Sequence, residues 1–148
     1  MIRSSVLVVF LIAGLGCASA GGSRRAGNTD DHTAGATLAQ IYFWRAKPGK
    51  LEEYTRYIRE RAEPIDEEAR RAGAFVSVAT YMAADTTVPW THMRVFTLRD
   101  SAQLRGLSAA LTAAGAKLEP DSVKRRVQSE YSATLRDRVG ALVSEIVR

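Results

Sequence analysis

LAQIYFWR, residues 38–45, is the stretch of sequence that decides the fold. Its side chains alternate between the two sides of an extended chain, as the two-residue period of a strand requires. One side carries Ala39, Ile41 and Phe43, and the other carries Leu38, Gln40, Tyr42 and Trp44. Because both sides hold large apolar groups, we expect a strand that is covered on both faces.

A long amphipathic helix is predicted directly after this strand. Pro48-Gly49 interrupts the extended pattern, and from Leu51 to Ala72 the apolar residues recur at spacings of three and four, which gives one stripe of a helix. Gly73 supplies the C-terminal stop. Pro64 lies inside the pattern and removes an intrahelical hydrogen bond, so we expect the helix to be bent there.

The rest of the chain predicts an α+β fold. Alternation predicts strands over 74–82 and 90–98, with a loop over 83–89 between them. A helix over 101–115 follows, and 123–146 has helical periodicity throughout, so we expect one long C-terminal helix. Strand, helix, strand, strand, helix is the order of the first five elements of the ferredoxin-like unit, an antiparallel sheet with helices packed on one face.

The first 20 residues have the pattern of a secretory signal peptide. Arg3 gives a short basic region, residues 6–16 are apolar, and Ala18-Ser19-Ala20 is a cleavage site of small residues. A run of about eleven apolar residues is too short for a membrane-spanning helix, which needs about 20. We therefore predict export to the periplasm or the extracellular space. Residues 21–37 are rich in Gly, Ser, Thr and Asp and predict a flexible linker, which leaves 38–148 as the folded domain.

Cys17, the only cysteine, allows a second interpretation of the N-terminus. Its surroundings resemble the lipobox of bacterial lipoproteins, in which the cysteine is acylated. The exported chain is then either freely secreted or, if Cys17 is lipidated, anchored to a membrane. In both cases the folded domain has no thiol, so its stability must come from core packing or from oligomerisation.

Composition and charge limit the kinds of partner. The chain has 148 residues, 46% of them hydrophobic and 25% charged, which suits a single globular core. Its net charge of +5 falls to +4 when Arg3 leaves with the signal peptide. Positive residues are interspersed with acids, and the cluster 124–126 is too short to imply a nucleic-acid partner. No metal site is expected, because the domain has one histidine and no cysteine.

The segment IYFWRAKPGKLEEYTRYIRE, the later AGAFVS, and the third strand leading into a helix after Asp100-Ser101 resemble the dimeric α/β-barrel superfamily. This group includes antibiotic-biosynthesis monooxygenase-like, stress-responsive and NIPSNAP-like domains, and the resemblance covers about residues 38–118. It implies a homodimer in which sheet packs on sheet. Members usually add a fourth strand after the second helix, where this sequence has helical periodicity. Haem-degrading members bind iron through a histidine on the second helix, and residues 101–115 contain none, so no cofactor is expected.

The resemblance also assigns the two faces of the sheet. The face toward the helices is expected to carry Ile41, Phe43, Val76, Val78, Met93 and Val95. The face toward the partner subunit is expected to carry Tyr42, Trp44, Ser77, Tyr81, His92, Arg94 and Phe96. The candidate ligand-binding residues on and beside that second face are Tyr42, Trp44, Tyr81, Trp90, His92, Arg94 and Phe96.

Two of these residues have chemistry of their own. His92 could act as an acid or base near neutral pH, and Arg94 could hold a carboxylate or phenolate, so both are candidate catalytic residues. Alternatively, both are bonded across the dimer interface and have no catalytic role. The sequence therefore leaves two hypotheses: a module that is structural or binds a small apolar or aromatic ligand, or a cofactor-independent monooxygenase-like enzyme acting on a small aromatic substrate.

Overall fold

A computed structural model of the chain describes residues 35–147. The signal-peptide and Cys17 predictions lie outside this range, and the predicted linker lies almost wholly outside it. The described residues form four strands, four α-helices and one π-helical turn. Their bounds are β1 Leu38–Ala46, α1 Leu51–Tyr57, the π-helical turn Ile58–Ala62, α2 Glu63–Arg71, β2 Ser77–Met82, β3 His92–Leu98, α3 Ser101–Leu118, α4 Ser122–Leu135 and β4 Arg136–Glu145.

The four strands form one antiparallel sheet in the order β2-β3-β1-β4. This order, with the helices between the strands packed on one face, is that of the ferredoxin-like fold, and the predicted α+β class is confirmed. β1, the strand of the LAQIYFWR stretch, is central and pairs with both β3 and β4.

The C-terminal segment differs from its prediction. A helix is present as α4, but it ends at Leu135, and the following ten residues are the fourth strand rather than a continuation of the helix. Leu135 is fully buried, and its carbonyl accepts a hydrogen bond from the backbone N–H of Lys47, which fixes the change of direction. The spacing of the apolar residues in β4 is compatible with a helix as well as with a strand, so periodicity alone does not distinguish the two structures. Pairing with β1 favours the strand, and Gly140 disfavours the helix.

Helix formation continues through Pro64 without a break. In the π-helical turn just before it, the backbone N–H of Glu63 donates to the carbonyl of Ile58, five residues earlier. This wider turn re-routes the hydrogen bonds where proline cannot donate one, which accounts for the irregularity that Pro64 predicted. The stripe that faces the sheet includes Tyr54, Ile58 and Ala69, all of them buried.

The assignment of the two faces was wrong for β1 and β3. The helices cover the side of the sheet that carries Leu38, Tyr42, Trp44, His92, Arg94, Phe96 and Leu98, not the side predicted. Val78 faces the helices, and Ser77 and Tyr81 face away from them, as predicted for β2. Alternation establishes which residues share a face of the sheet. Because both faces of β1 are apolar, the pattern does not predict which face the helices cover.

The opposite side, which we call the open face, carries a continuous apolar surface. Along β1 and β3 it pairs Ile41 with Val95 and Phe43 with Met93, and β4 adds Leu142 beside Ile41. No helix among residues 35–147 packs over these side chains, and Leu142 remains 42% exposed. Within one subunit, β1 is therefore covered on the helix side only, whereas burial was predicted for both sides.

Candidate functional site

A layer of polar side chains lies between the helices and the sheet. It is on the face of the sheet that was predicted to contact the partner subunit. β3 contributes His92 and Arg94, α2 contributes Asp66, and β4 contributes Arg136. Buried polar groups require partners, so the contacts of each one indicate whether it is structural or free to act.

His92 is completely buried and bonded on both sides of its ring. Its Nε2 lies 3.0 Å from the hydroxyl of Thr55, and its Nδ1 lies 3.0 Å from the hydroxyl of Thr91. The Thr55 hydroxyl already donates to the carbonyl of Leu51 at 2.8 Å, so it accepts from Nε2–H. The Thr91 hydroxyl has one proton to share between Nδ1 and the carbonyl of Trp44, which lies 3.3 Å away. Burial lowers the pKa of His92, which favours the neutral imidazole with its proton on Nε2.

Arg94 is committed to an ion pair. Its Nη2 donates to the Oδ2 of Asp66, a buried carboxyl on α2, and its guanidinium lies over the ring of Phe96 with the Cζ atom 5.3 Å from the ring centroid. Burial raises the pKa of Asp66 to about 6, outweighing the opposing effect of Arg94. The Nε of Arg94 is buried without a hydrogen-bond partner among the described residues.

Arg136 is the residue that sequence reasoning missed. Its guanidinium stacks on Trp44 with the Cζ atom 3.4 Å from the ring centroid, and it lies 5.6 Å from the ring of Tyr54. Among residues 35–147 it forms no ion pair or hydrogen bond, and its Nε is buried. Burial lowers its pKa. Because residue 136 fell within a predicted solvated helix, nothing in the pattern placed it in the interior.

The seven predicted ligand-binding residues do not share one surface. Tyr42, Trp44, His92, Arg94 and Phe96 lie together on the helix-covered side, where Tyr42 contacts Trp44 and Phe96 at centroid distances of 6.5 and 6.0 Å. Tyr81 lies on the open face. Trp90 precedes β3 and packs its ring against Phe43 at 5.8 Å, which also places it beside the open face. Tyr42 and Trp44 keep part of their surface in solvent. We refer to Tyr42, Trp44, Arg94 and Arg136 as the arginine–aromatic site.

Two concave regions lie at the end of the sheet near His92. A cleft of about 460 Å³ is bounded by Arg45, Met82, the 85–88 loop and Trp90. A groove of about 550 Å³ runs along α1 past Thr55 to Met82. Polar groups of the cleft bond locally, since Asp85 accepts from Thr87 and Arg45 donates to the carbonyl of Pro89. His92 reaches neither space directly, because the hydroxyls of Thr91 and Thr55 stand between its ring and them.

The described part of the chain contains no group of three or more His, Cys, Asp or Glu side chains placed to hold a metal ion. None of its helices combines the length and apolar character needed to cross a membrane.

Comparison with known proteins finds similarity only among solved structures; no protein-family model and no curated protein matches. HapK from Hahella chejuensis superposes with a TM-score of 0.52 at 13% sequence identity, over 74% of this chain and 92% of HapK. A dimeric protein of unknown function and ferredoxin-like fold from Bacteroides fragilis gives 0.49 at 11% identity, over 76% and 97%. PA3566 from Pseudomonas aeruginosa gives 0.43 at 16% identity, over 76% and 94%.

At these identities the likeness to HapK is one of fold alone. Membership of the monooxygenase-like or NIPSNAP-like domains stays a prediction.

Proposed function

We propose that this chain is a homodimeric small-molecule-binding module in which the open faces of two sheets pack together. The observation that supports the dimer is the apolar surface of Ile41, Phe43, Met93, Val95 and Leu142, which residues 35–147 leave without a covering layer. A large contiguous apolar surface on a soluble domain marks an interaction site. A second copy supplies a cover of matching shape and polarity through an isologous contact.

The size of the open face suits this assembly. Strands spaced about 4.8 Å apart, and rising about 3.3 Å per residue over about seven residues, give four strands a flat area of about 440 Å². Two such faces, with the relief of their side chains and a rim that includes Trp90 and Val139, bury on the order of 1,200 Å², where specific interfaces begin.

Two adjacent residues of β4 provide a matched test. Leu142 points to the open face beside Ile41, whereas Val143 points to the helix side beside Gln40, and they are 42% and 49% exposed. Leu142→Asp should weaken the dimer at least 100-fold, because a carboxylate would be buried without a partner, equivalent to about 2.7 kcal/mol. Val143→Asp should leave it unchanged.

Sedimentation equilibrium on the full chain measures both variants. A monomeric wild type, or equal weakening by the two substitutions, would contradict pairing through the open face; the second result would point instead to contact along the β4 edge.

Ligand binding is assigned to the arginine–aromatic site rather than to the dimer interface. Tyr42 and Trp44 present partly exposed rings beside guanidinium groups, the combination of apolar surface and few polar groups that small-molecule sites use. His92 is buried, neutral and bonded on both ring nitrogens, which favours a binding module over an enzyme that uses His92 as its base. The binding site and the dimer interface then lie on opposite faces of one sheet.

Export of the domain is part of the same proposal. It is supported by the basic, apolar and small-residue regions of residues 1–20, with Cys17 as the alternative lipidation site.

A further inference from the structure

Three arginines gather at the arginine–aromatic site with a single buried carboxylate. Arg94 pairs with Asp66, whereas Arg136 has no anionic partner among residues 35–147, and Arg138 lies near enough to lower the pKa of Arg136 further. The nearest phenol does not compensate, because burial raises the pKa of Tyr54 to about 12 and keeps it neutral. The site therefore carries excess positive charge.

The arrangement of these cations matches a particular kind of ligand. The guanidinium of Arg136 lies over the Trp44 ring, with its Cζ atom 3.4 Å from the ring centroid. Its Nε–H and that of Arg94 lack acceptors within the described residues, and unpaired donors of this kind are costly. A guanidinium fork fits the two oxygens of a carboxylate, and exposed aromatic surface accepts a flat apolar body.

The helices leave one side of this site open. β4 is an edge strand of the sheet, and its residues on the helix side, Ala141 opposite Tyr42 and Val143 opposite Gln40, are exposed. Tyr42, Trp44 and Arg136 beside them are themselves partly exposed.

From the unpaired Arg136 fork on Trp44, the excess of arginines and the open β4 side, we propose that the site binds a planar aromatic carboxylate, with Arg136 as the residue that recognises its anionic group. This inference rests on the proposed small-molecule-binding function and specifies the class of ligand. Arg136 and Arg94 hold the carboxylate, and Tyr42 and Trp44 contact the ring.

The fluorescence of Trp44 allows a direct test. The chain has two tryptophans, so Trp90→Phe leaves Trp44 as the only tryptophan. In this background, benzoate should change the emission saturably and bind at least tenfold more tightly than benzamide, its neutral counterpart of the same shape. Arg136→Gln should weaken benzoate at least tenfold and leave benzamide unchanged, whereas Arg126→Gln, at an exposed arginine of α4, should change neither.

The outcomes separate the inference from the function on which it rests. Equal binding of benzoate and benzamide, or benzoate binding that survives Arg136→Gln, would overturn the carboxylate assignment and leave small-molecule binding intact. Absence of binding by both probes up to about 20 mM, a concentration that detects even a millimolar affinity, would overturn both the carboxylate assignment and small-molecule binding at this site. The dimer is judged separately by sedimentation. If Arg136→Gln fails to unfold cooperatively, Arg136→Lys replaces it, and it should weaken benzoate because the ammonium lacks the fork.

Discussion

Replacing His92 by leucine tests whether this buried imidazole is structural. Leucine is similar in volume and removes the bonds to Thr55 and Thr91 as well as the edge contact with Tyr54, whose ring centroid is 4.6 Å away. Both hydroxyls keep other partners, the carbonyls of Leu51 and Trp44. Each lost hydrogen bond then costs only about 1 kcal/mol and the ring contact about 1 kcal/mol.

Burial of the leucine side chain offsets about 1 kcal/mol of this loss. We therefore expect His92→Leu to lower the free energy of unfolding by about 2 kcal/mol at pH 7.5, or the Tm by about 8 °C. If His92 were instead a catalytic group with few stabilising bonds, its replacement would lower the free energy of unfolding by less than this amount.

The dependence on pH gives the sharper test. The pKa of His92 is lower in the folded protein than in the unfolded chain, so the unfolded state binds more protons below about pH 6.5. Titration of His92 should remove up to about 1.4 kcal/mol of stability per pH unit from the wild type on acidification in that window. The variant lacks this contribution, and the opposite contribution of Asp66 is common to both proteins. The difference between the two proteins should therefore shrink from pH 7.5 to pH 5.

Urea unfolding followed by circular dichroism, at one protein concentration from pH 8 to pH 5, measures this difference. Thr97→Val is the control. Thr97 lies on β3, as His92 does, and its buried hydroxyl is bonded to Ser77 of β2, so the substitution removes a buried hydrogen bond without removing a titrating group. A stability difference for His92→Leu that stays constant with pH, as expected for Thr97→Val, would refute the neutral buried imidazole.

The remaining predictions concern Asp66 and the N-terminus. Because burial raises the pKa of Asp66 to about 6 from its ordinary value of 3.8, the folded state binds its proton more tightly, and this group should lower stability by about 3 kcal/mol as the pH rises from about 4 to 6. That change should be missing in Asp66→Asn when the urea series is repeated from about pH 7 down to about pH 3.5, below the ordinary pKa of the carboxyl, and an unaltered profile would contradict it. For export, mass spectrometry of the mature protein should find an N-terminus at Gly21, whereas an acylated Cys17 would establish the lipoprotein alternative and an intact Met1 would reject both.

The sequence predicted the fold well where a single pattern decided the structure. Alternation in LAQIYFWR identified β1, the three-four spacing after Pro48-Gly49 identified the first helix, and Asp100 caps α3 through its bonds to the backbone N–H groups of Ala102 and Gln103. The prediction failed at β4, where Val139 and Val143 suit either periodicity. The pairing partner of β4 is β1, about a hundred residues earlier, and local spacing does not contain that information.

The candidate site was predicted in part, for a related reason. Tyr42, Trp44 and Arg94 were correctly placed on one face, because they follow from strand periodicity and the pairing of β1 with β3. Which face the helices cover depends on three-dimensional packing, and the alternation of β1 is apolar on both sides. Arg136 was missed because its place in the interior depends on the unexpected turn from α4 into β4.

The reversal of the two faces changes what the central strand does. With Tyr42 and Trp44 under the helices, their surroundings are built within one subunit, so the proposed ligand binding does not require the partner. Ile41 and Phe43, on the open face, are then left for the proposed dimer contact. If the proposal is right, the same strand serves both roles through alternate residues, and Leu142→Asp should release a monomer that retains the arginine–aromatic site. A shared site at the dimer interface, as the sequence first indicated, would instead lose ligand binding and dimerisation together.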